Sequence, residues 1–290
     1  MIKNGELLSL PNVNPGRSSN FDTFSNAARA NGAGWHISTN AEWAALLLWC
    51  HKNGIVPRGN SNFGRSSDAT YETGRRVNVG VPGDTEGPVL TGSGPASWRH
   101  DNTSAGISDL CGNVWEWQGG LRLVDGEIQI IPNNDAATAD LSALSAAWRA
   151  IRLSDGALVA PGTAGTAKFD SPAATTTGNG GTPILSTAIV NRNGDLGDNT
   201  NAAGLLDGAF NSITEAAGVT APAILKALGL FRHKDVADSD RIYLRNYGER
   251  LPIRGGNWYH GAAAGVRALD LNSPRSGVGG SVGARPAFVL

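Results

Sequence analysis

"RGGNWYHGAAAGVRALDLN", residues 254–272, decides how the rest of the chain is read. It opens on Arg-Gly-Gly and a Trp, residue types that make a turn and pin it. It then loses any helical or strand period while mixing Tyr, His, Ala, Arg and Asp. A few residues on, "GARPAFVL" (283–290) restores motif-like order. A segment so unpatterned between two anchors is either an ordinary Gly-rich loop or a display region on a rigid frame, the setting in which loops carry binding. Gly255 and Gly256 permit a close backbone approach that a Cβ would block. Arg254 brings a fork of donors for carbonyls or for a carboxylate such as Glu116.

Working outward, "HISTNAEWAALLLWCHKNG" (36–54) predicts a helix from about Asn40 to Lys52. Thr39 and Glu42 form a capping box, Trp43, Leu46, Leu47 and Cys50 lie at helical spacing, and Gly54 is the stop signal. "ISDLCGNVWEW" (107–117) ends in an aromatic strand, and "LRLVDGEIQII" (121–131) reads as a hairpin turning at Asp125-Gly126. Residues 57–106 read as ordered irregular loops. Residues 132–222 turn to Ala, Thr, Gly, Asn and Asp, with a short helix expected at 140–149 and a strand at 184–190. Ala223, Leu225, Leu228 and Leu230 mark a short helix ending at Gly229 or beyond, and "RIYLRNYGERLPIRGGNW" (241–258) returns to strand-like usage. The expectation is an α+β, loop-rich chain whose ends, 1–123 and 241–290, form one discontinuous domain around an accessory insertion of mixed structure at 124–240.

Composition narrows the function. The chain has 290 residues, 17% charged and 40% hydrophobic, with 39 Gly and a formal net charge of −1. No basic stripe offers electrostatic capture of nucleic acid or of an acidic membrane. No stretch approaches a membrane span, and the start lacks a signal-peptide pattern, so synthesis as a soluble cytoplasmic product is expected, with a virion or partner carrying it outside. Cys50 and Cys111 exclude a disulfide scaffold or a four-Cys zinc site; they read as a single bridge or as two buried thiols.

Three separated stretches, "HISTNAEW", "DLCGNVWEW" and "RGGNW…GARP", resemble in order the signatures of the formylglycine-generating-enzyme branch of the C-type lectin fold. The resemblance covers about 1–123 and 241–290 and departs at Ala284, where an aromatic is common in the family's Gly-Phe-Arg. It assigns Trp115, Trp117, Arg254, Gly255, Gly256, Trp258 and Arg285 to the scaffold. The C-terminal segment, 254–290, is also similar to the variable region of diversity-generating-retroelement target proteins, which share this fold. The matching framework is Arg254, Gly255, Gly256, Trp258, Gly261, Ala264, Gly265, Ala268, Leu269, Leu271, Ser276, Gly283, Arg285, Pro286 and Ala287. Between these lie the positions that the resemblance makes variable and ligand-binding: Asn257, Tyr259, His260, Ala262, Ala263, Arg267, Asp270, Ser273, Arg275, Gly277, Gly279, Gly280 and Ala284. In that family the randomised codons never encode Lys, Glu, Gln, Met or Trp, and residues 259–290 contain none of them.

Three functions are weighed. An oxidoreductase like the formylglycine-generating enzymes would need reactive cysteines after the Arg-Gly-Gly-x-Trp signature, and 259–290 has none; His36, His51, His100, His233 and His260 show no metal-ligand spacing, although His36 and His51 could face one site. A calcium-dependent lectin would need an oxygen cage, for which only "NNDAATAD" (133–140) and "NRNGDLGDNTN" (191–201) are Asp/Asn-rich. The third is an adhesin that performs no chemistry, needs no cofactor beyond a structural calcium, and presents Tyr259, His260 and Arg267 as anchors to a host-surface protein or glycan. Asp270 and Arg275 could pair on that surface. Phage-tail display is expected, with a bacterial cell surface as the alternative, and a trimer would multiply weak single-site affinity. A structural virion protein is the remaining alternative.

Overall fold

The computed structural model describes residues 1–78, 83, 87–233 and 239–290. The architecture is α+β, with short strands in two large sheets and few helices. Helix α1 spans Phe21–Arg29; Asn20 caps it by accepting the Thr23 N–H, and Phe21, Phe24 and Ala28 form its buried stripe. Helix α2 spans Asn40–Lys52, with both hydrogen bonds of the Thr39/Glu42 capping box made and Trp43, Leu47 and Cys50 buried. Helix α3 is the short Ala223–Ala227, stopped at Gly229 in a left-handed conformation, φ 62°.

The frame around the C-terminal segment is a six-stranded sheet in the spatial order Leu206–Ala209, Arg241–Leu244, Gly265–Leu271, Ile253–Gly255, Trp115–Trp117, Val282–Gly283. Its register sets Ile253 between Trp117 and Asp270, and Arg254 between Glu116 and Leu269, with a bulge after Arg254. The second sheet grows from the hairpin of Leu121–Val124 with Glu127–Ile130. Asp125 and Gly126 turn it with φ of 50° and 88°, the two left-handed residues that a tight two-residue hairpin requires. Glu249–Arg250 adds to one side of the hairpin, and Lys168–Asp170, Ile184–Ser186 and Thr214–Glu215 extend the other. Strand Leu206–Ala209 lies in the six-stranded sheet beside Arg241–Leu244, so the segment 124–240 shares a ladder with its C-terminal flank. One hydrophobic cluster accordingly runs through Leu123, Phe169, Leu185, Leu206 and Leu225 to Ile242, Leu244, Leu269 and Leu271.

Two local expectations are corrected. Residues 140–148 form turns rather than a helix, and Arg149–Ile151 is a strand. The Asp140 carboxylate takes both the N–H and the hydroxyl of Ser142, and Ser145 Oγ takes the Ala147 N–H, so side chains occupy the backbone donors that a helix needs. The strand expected over 184–190 ends at Ser186, whose hydroxyl accepts the Ala188 N–H and closes a turn. Within 57–106, residues 79–82 and 84–86 lie outside the described residues, and the remainder is irregular apart from the 3-10 turn Ala96–Trp98. Cys50 and Cys111 are free, buried thiols rather than a bridge.

Candidate functional site

The frame is built from buried arginines. Arg254 is fully buried and donates to Asn40 Oδ1 (2.8 and 3.1 Å) and to the carbonyls of Gly229 (3.0 Å), Leu228 (3.3 Å) and Arg267 (3.3 Å). The guanidinium therefore ties the start of α2 to the end of α3, using the carbonyls that a helix C-terminus leaves unpaired. Of the two kinds of partner open to it, Arg254 thus takes carbonyls, and the Glu116 carboxylate is held by Arg285, which donates to both of its oxygens and to the Ser108 and Asp109 carbonyls. Burial without a carboxylate partner pushes Arg254 down to about 9, still charged at neutral pH. Gly255 and Gly256 have φ of 95° and 83°, and a Cβ on Gly256 would lie 2.5 Å from that of Ala264. Trp115, Trp117 and Trp258 are buried, with the Arg17 guanidinium 5.6 Å from the Trp258 ring centroid.

Most of the expected variable positions reach the surface. Tyr259, Ala262 and Gly280 are exposed, while His260, Ala263, Asp270, Ser273, Arg275, Gly277, Gly279 and Ala284 are half-buried. Two are buried, which corrects the expectation that they point outward. Asn257 is fully enclosed, accepting the Tyr259 N–H on Oδ1. Arg267 lies on Gly265–Leu271, a strand covered on both faces, where its N–H donates to Asp240 and its guanidinium reaches His51 Nδ1 at 3.5 Å. The expected Asp270–Arg275 pair is not made either. Asp270 accepts the Asn272 N–H, whereas Arg275 bridges Glu249 and Asp22 across the Phe21 ring, 5.3 Å from its centroid. Arg275 thus fastens the segment to α1 and to the second sheet.

Tyr259 and His260 belong to an aromatic group. The His260 ring stacks on Tyr243 (5.8 Å, 25°) and meets Trp115 edge-on at 5.2 Å; Tyr259 lies 6.4 Å from Phe63, and its hydroxyl is 3.3 Å from Ser281 Oγ. Asp207 and Arg241 form an ion pair on the strands beside Tyr243. Sequence reasoning did not single out Tyr243, Asp207, Arg241 or Phe63. Tyr243 had a signal: in "RIYL" it alternates with Ile242 and Leu244, which are buried. Phe63 sits in an irregular loop with φ 46° and had none.

Burial pushes the His260 imidazole down to about 4, so the ring is neutral, with Nδ1 positioned to accept the Asn257 N–H at 3.3 Å. The unfolded chain binds a proton near pH 6.5 and the folded one only near 4, so this residue removes stability as pH falls through that window. Thermal melting between pH 7 and pH 4 is expected to fall less steeply in His260→Gln than in the wild type; equal slopes would mean that the ring is solvated. Asp270 keeps part of its surface open, yet loss of hydration at its carboxyl pushes it up to about 7. Its contribution has the opposite sign, present below its unfolded value and lost as pH rises through 7.

Position 267 distinguishes buried from displayed residues. Arg267→Ala is expected to cost about 2 kcal/mol by removing a long side chain packed in the interior and leaving a cavity, and Ala262→Ser, on the exposed side, less than about 0.5 kcal/mol. Urea titration of both variants measures the contrast.

The buried thiols are poor nucleophiles. Loss of hydration pushes Cys50 up to about 11 and raises Cys111 as well, and Cys50 Sγ donates to the His100 carbonyl. His36 and His51 do not share a site. His36 is fully buried between the Gly34 carbonyl and Glu42, while His51 lies against His233, ring centroids 5.4 Å apart.

In the two Asp/Asn-rich segments several side-chain oxygens already accept from protein donors. Asp198 takes the Thr200 N–H and hydroxyl, Asn199 the Glu249 N–H, Asn201 an Arg250 donor, and Asn134 Oδ1 the Thr39 hydroxyl. Among the described residues no three His, Cys, Asp or Glu side chains gather as a metal site. No helix among the described residues is long and apolar enough to cross a membrane. No family model matches the chain, and no curated protein is significantly similar to it.

Proposed function

We propose that the chain is a ligand-binding adhesin on a C-type-lectin-like core, whose segment 254–290 presents exchangeable side chains and which performs no chemistry. The core comprises 1–123 and 241–290, with 124–240 as an accessory segment, and the protein is displayed on a phage tail or a bacterial surface as a homo-oligomer. Its partner is a host-surface protein or glycan. The observation that supports this reading is the partition within one segment. Arg254, Gly255, Gly256, Trp258, Ala268, Leu269 and Leu271 are buried, while Tyr259, Ala262, Ala263, Asp270 and Ser273 between and beside them reach solvent. Substitutions at such open positions on a fixed backbone change stability little.

Two libraries test it. Randomising Tyr259, Ala262, Ala263, Asp270 and Ser273 is expected to leave most variants with a cooperative melt and to yield binders when panned on bacterial cells. Randomising Trp258, Ala268, Leu269 and Leu271 is expected to leave few folded. Equal failure of the two libraries would sink the reading, and oxygen-dependent oxidation of a peptide cysteine by the wild type would favour the oxidoreductase instead.

A further inference from the structure

We infer that the cleft beside the Arg285–Glu116 pair is a binding site for a primary ammonium group on a short aliphatic stem. The cleft, about 330 Å³, opens between the N-terminal segment around Leu8–Pro11, the loops at 91–92 and 106–109, and residues 284–286. That volume lies at the lower end of small-molecule sites.

The arginines that line it are already engaged. Arg285 is spent on Glu116 and on the carbonyls of Ser108 and Asp109, and Arg99 donates to the carbonyls of Gly106 (3.1 Å) and Gly92 (3.2 Å). The unmet group is an acceptor. Asp109, which also lines the cleft, is 9% exposed; its Oδ2 takes the Gly92 N–H at 2.8 Å, while Oδ1 is buried with no hydrogen-bond partner. Burial, reinforced by the like charge of Glu116, raises the Asp109 pKa, although Arg285 and Arg99 oppose the rise.

An occupant that reaches Oδ1 has to bring a donor, and a half-satisfied buried carboxylate gains most from a charged one. Leu8, Leu10, Ile107, Val114 and Pro286 add apolar surface that suits a methylene stem, and the Met1 ammonium at the rim is engaged by the Leu8 carbonyl at 2.8 Å. Asp109 and Glu116 are joined by no third His, Cys, Asp or Glu among the described residues, so the set offers a divalent ion no cage. The ammonium could belong to a free alkylamine or to a lysine side chain. The site stands apart from Tyr259 and His260, and nothing in it rests on the display reading.

The test is thermal melting at pH 7.5 with n-butylamine, with Nα-acetyl-lysine amide, or with n-butanol. A saturating amine is expected to raise the wild-type Tm by about 2 °C or more, whereas n-butanol does not. A response to n-butylamine alone identifies a small amine, and a response to the lysine amide a peptide source; either supports the site. Asp109→Asn, which removes an unmet buried charge and is expected to fold, should lose the response, as should Ala284→Phe, which fills the cleft. Absence of any amine shift, an equal shift with n-butanol, or an undiminished shift in folded Asp109→Asn or Ala284→Phe overturns the proposal; if Ala284→Phe does not fold, Asp109→Asn decides alone.

Discussion

Arg254→Met is expected to destabilise the protein by about 4 kcal/mol, the range for removing a buried group whose polar partners stay behind. The side chain has no exposure, and five hydrogen bonds connect it to Asn40, Arg267, Leu228 and Gly229. Methionine fills much of the volume, so little of the loss comes from a cavity. The cost arises because Asn40 Oδ1 and the Gly229 carbonyl lose this donor without gaining access to water, while the Leu228 carbonyl keeps only the Asn40 Nδ2 donor at 3.1 Å. For a chain of this length the Tm should fall by about 10 °C. Arg254→Lys should recover less than half of the loss, because one ammonium cannot reach acceptors spread across two helix ends and a strand. A Met variant within 1 kcal/mol of wild type would show that the guanidinium is not what joins these elements.

Gly256→Ala is expected to cost about 3 kcal/mol, the sum of left-handed backbone strain and overpacking. The glycine has φ 83°, and an added Cβ would lie 2.5 Å from the Cβ and 2.7 Å from the Cα of Ala264. Gly261→Ala provides the control. It shares a left-handed φ of 58° but has open space where the Cβ would go, so only the backbone part, about 1 kcal/mol, should appear. Ala264→Gly combined with Gly256→Ala should restore part of the loss by removing the nearer atom. Urea titrations in which the double variant is no better than Gly256→Ala would contradict steric contact as the cause.

Elements closed by local chemistry were legible in the sequence. The capping box set α2, Asp-Gly set the hairpin at 125–126, and the Trp-Glu-Trp alternation set a strand, because each needs only residues a few positions apart. Local chemistry also misled at 140–149, where Ser and Asp side chains take the backbone donors that the composition alone would assign to a helix.

The sequence by itself determined the α+β class, and the positions of 254–272 read from it as open are partly or fully exposed except Asn257 and Arg267. Tertiary structure alone decided the partners. Arg254 and Glu116 are neighbours in the ladder, yet Arg254 turns to the helix ends and Glu116 goes to Arg285, more than 160 positions away. It also brought Tyr243, Phe63, Asp207 and Arg241 toward Tyr259 and His260. A side chain's partner is set by which surfaces the packed sheets and helices leave facing each other, and a burial pattern read along one strand carries no record of what lies across the gap.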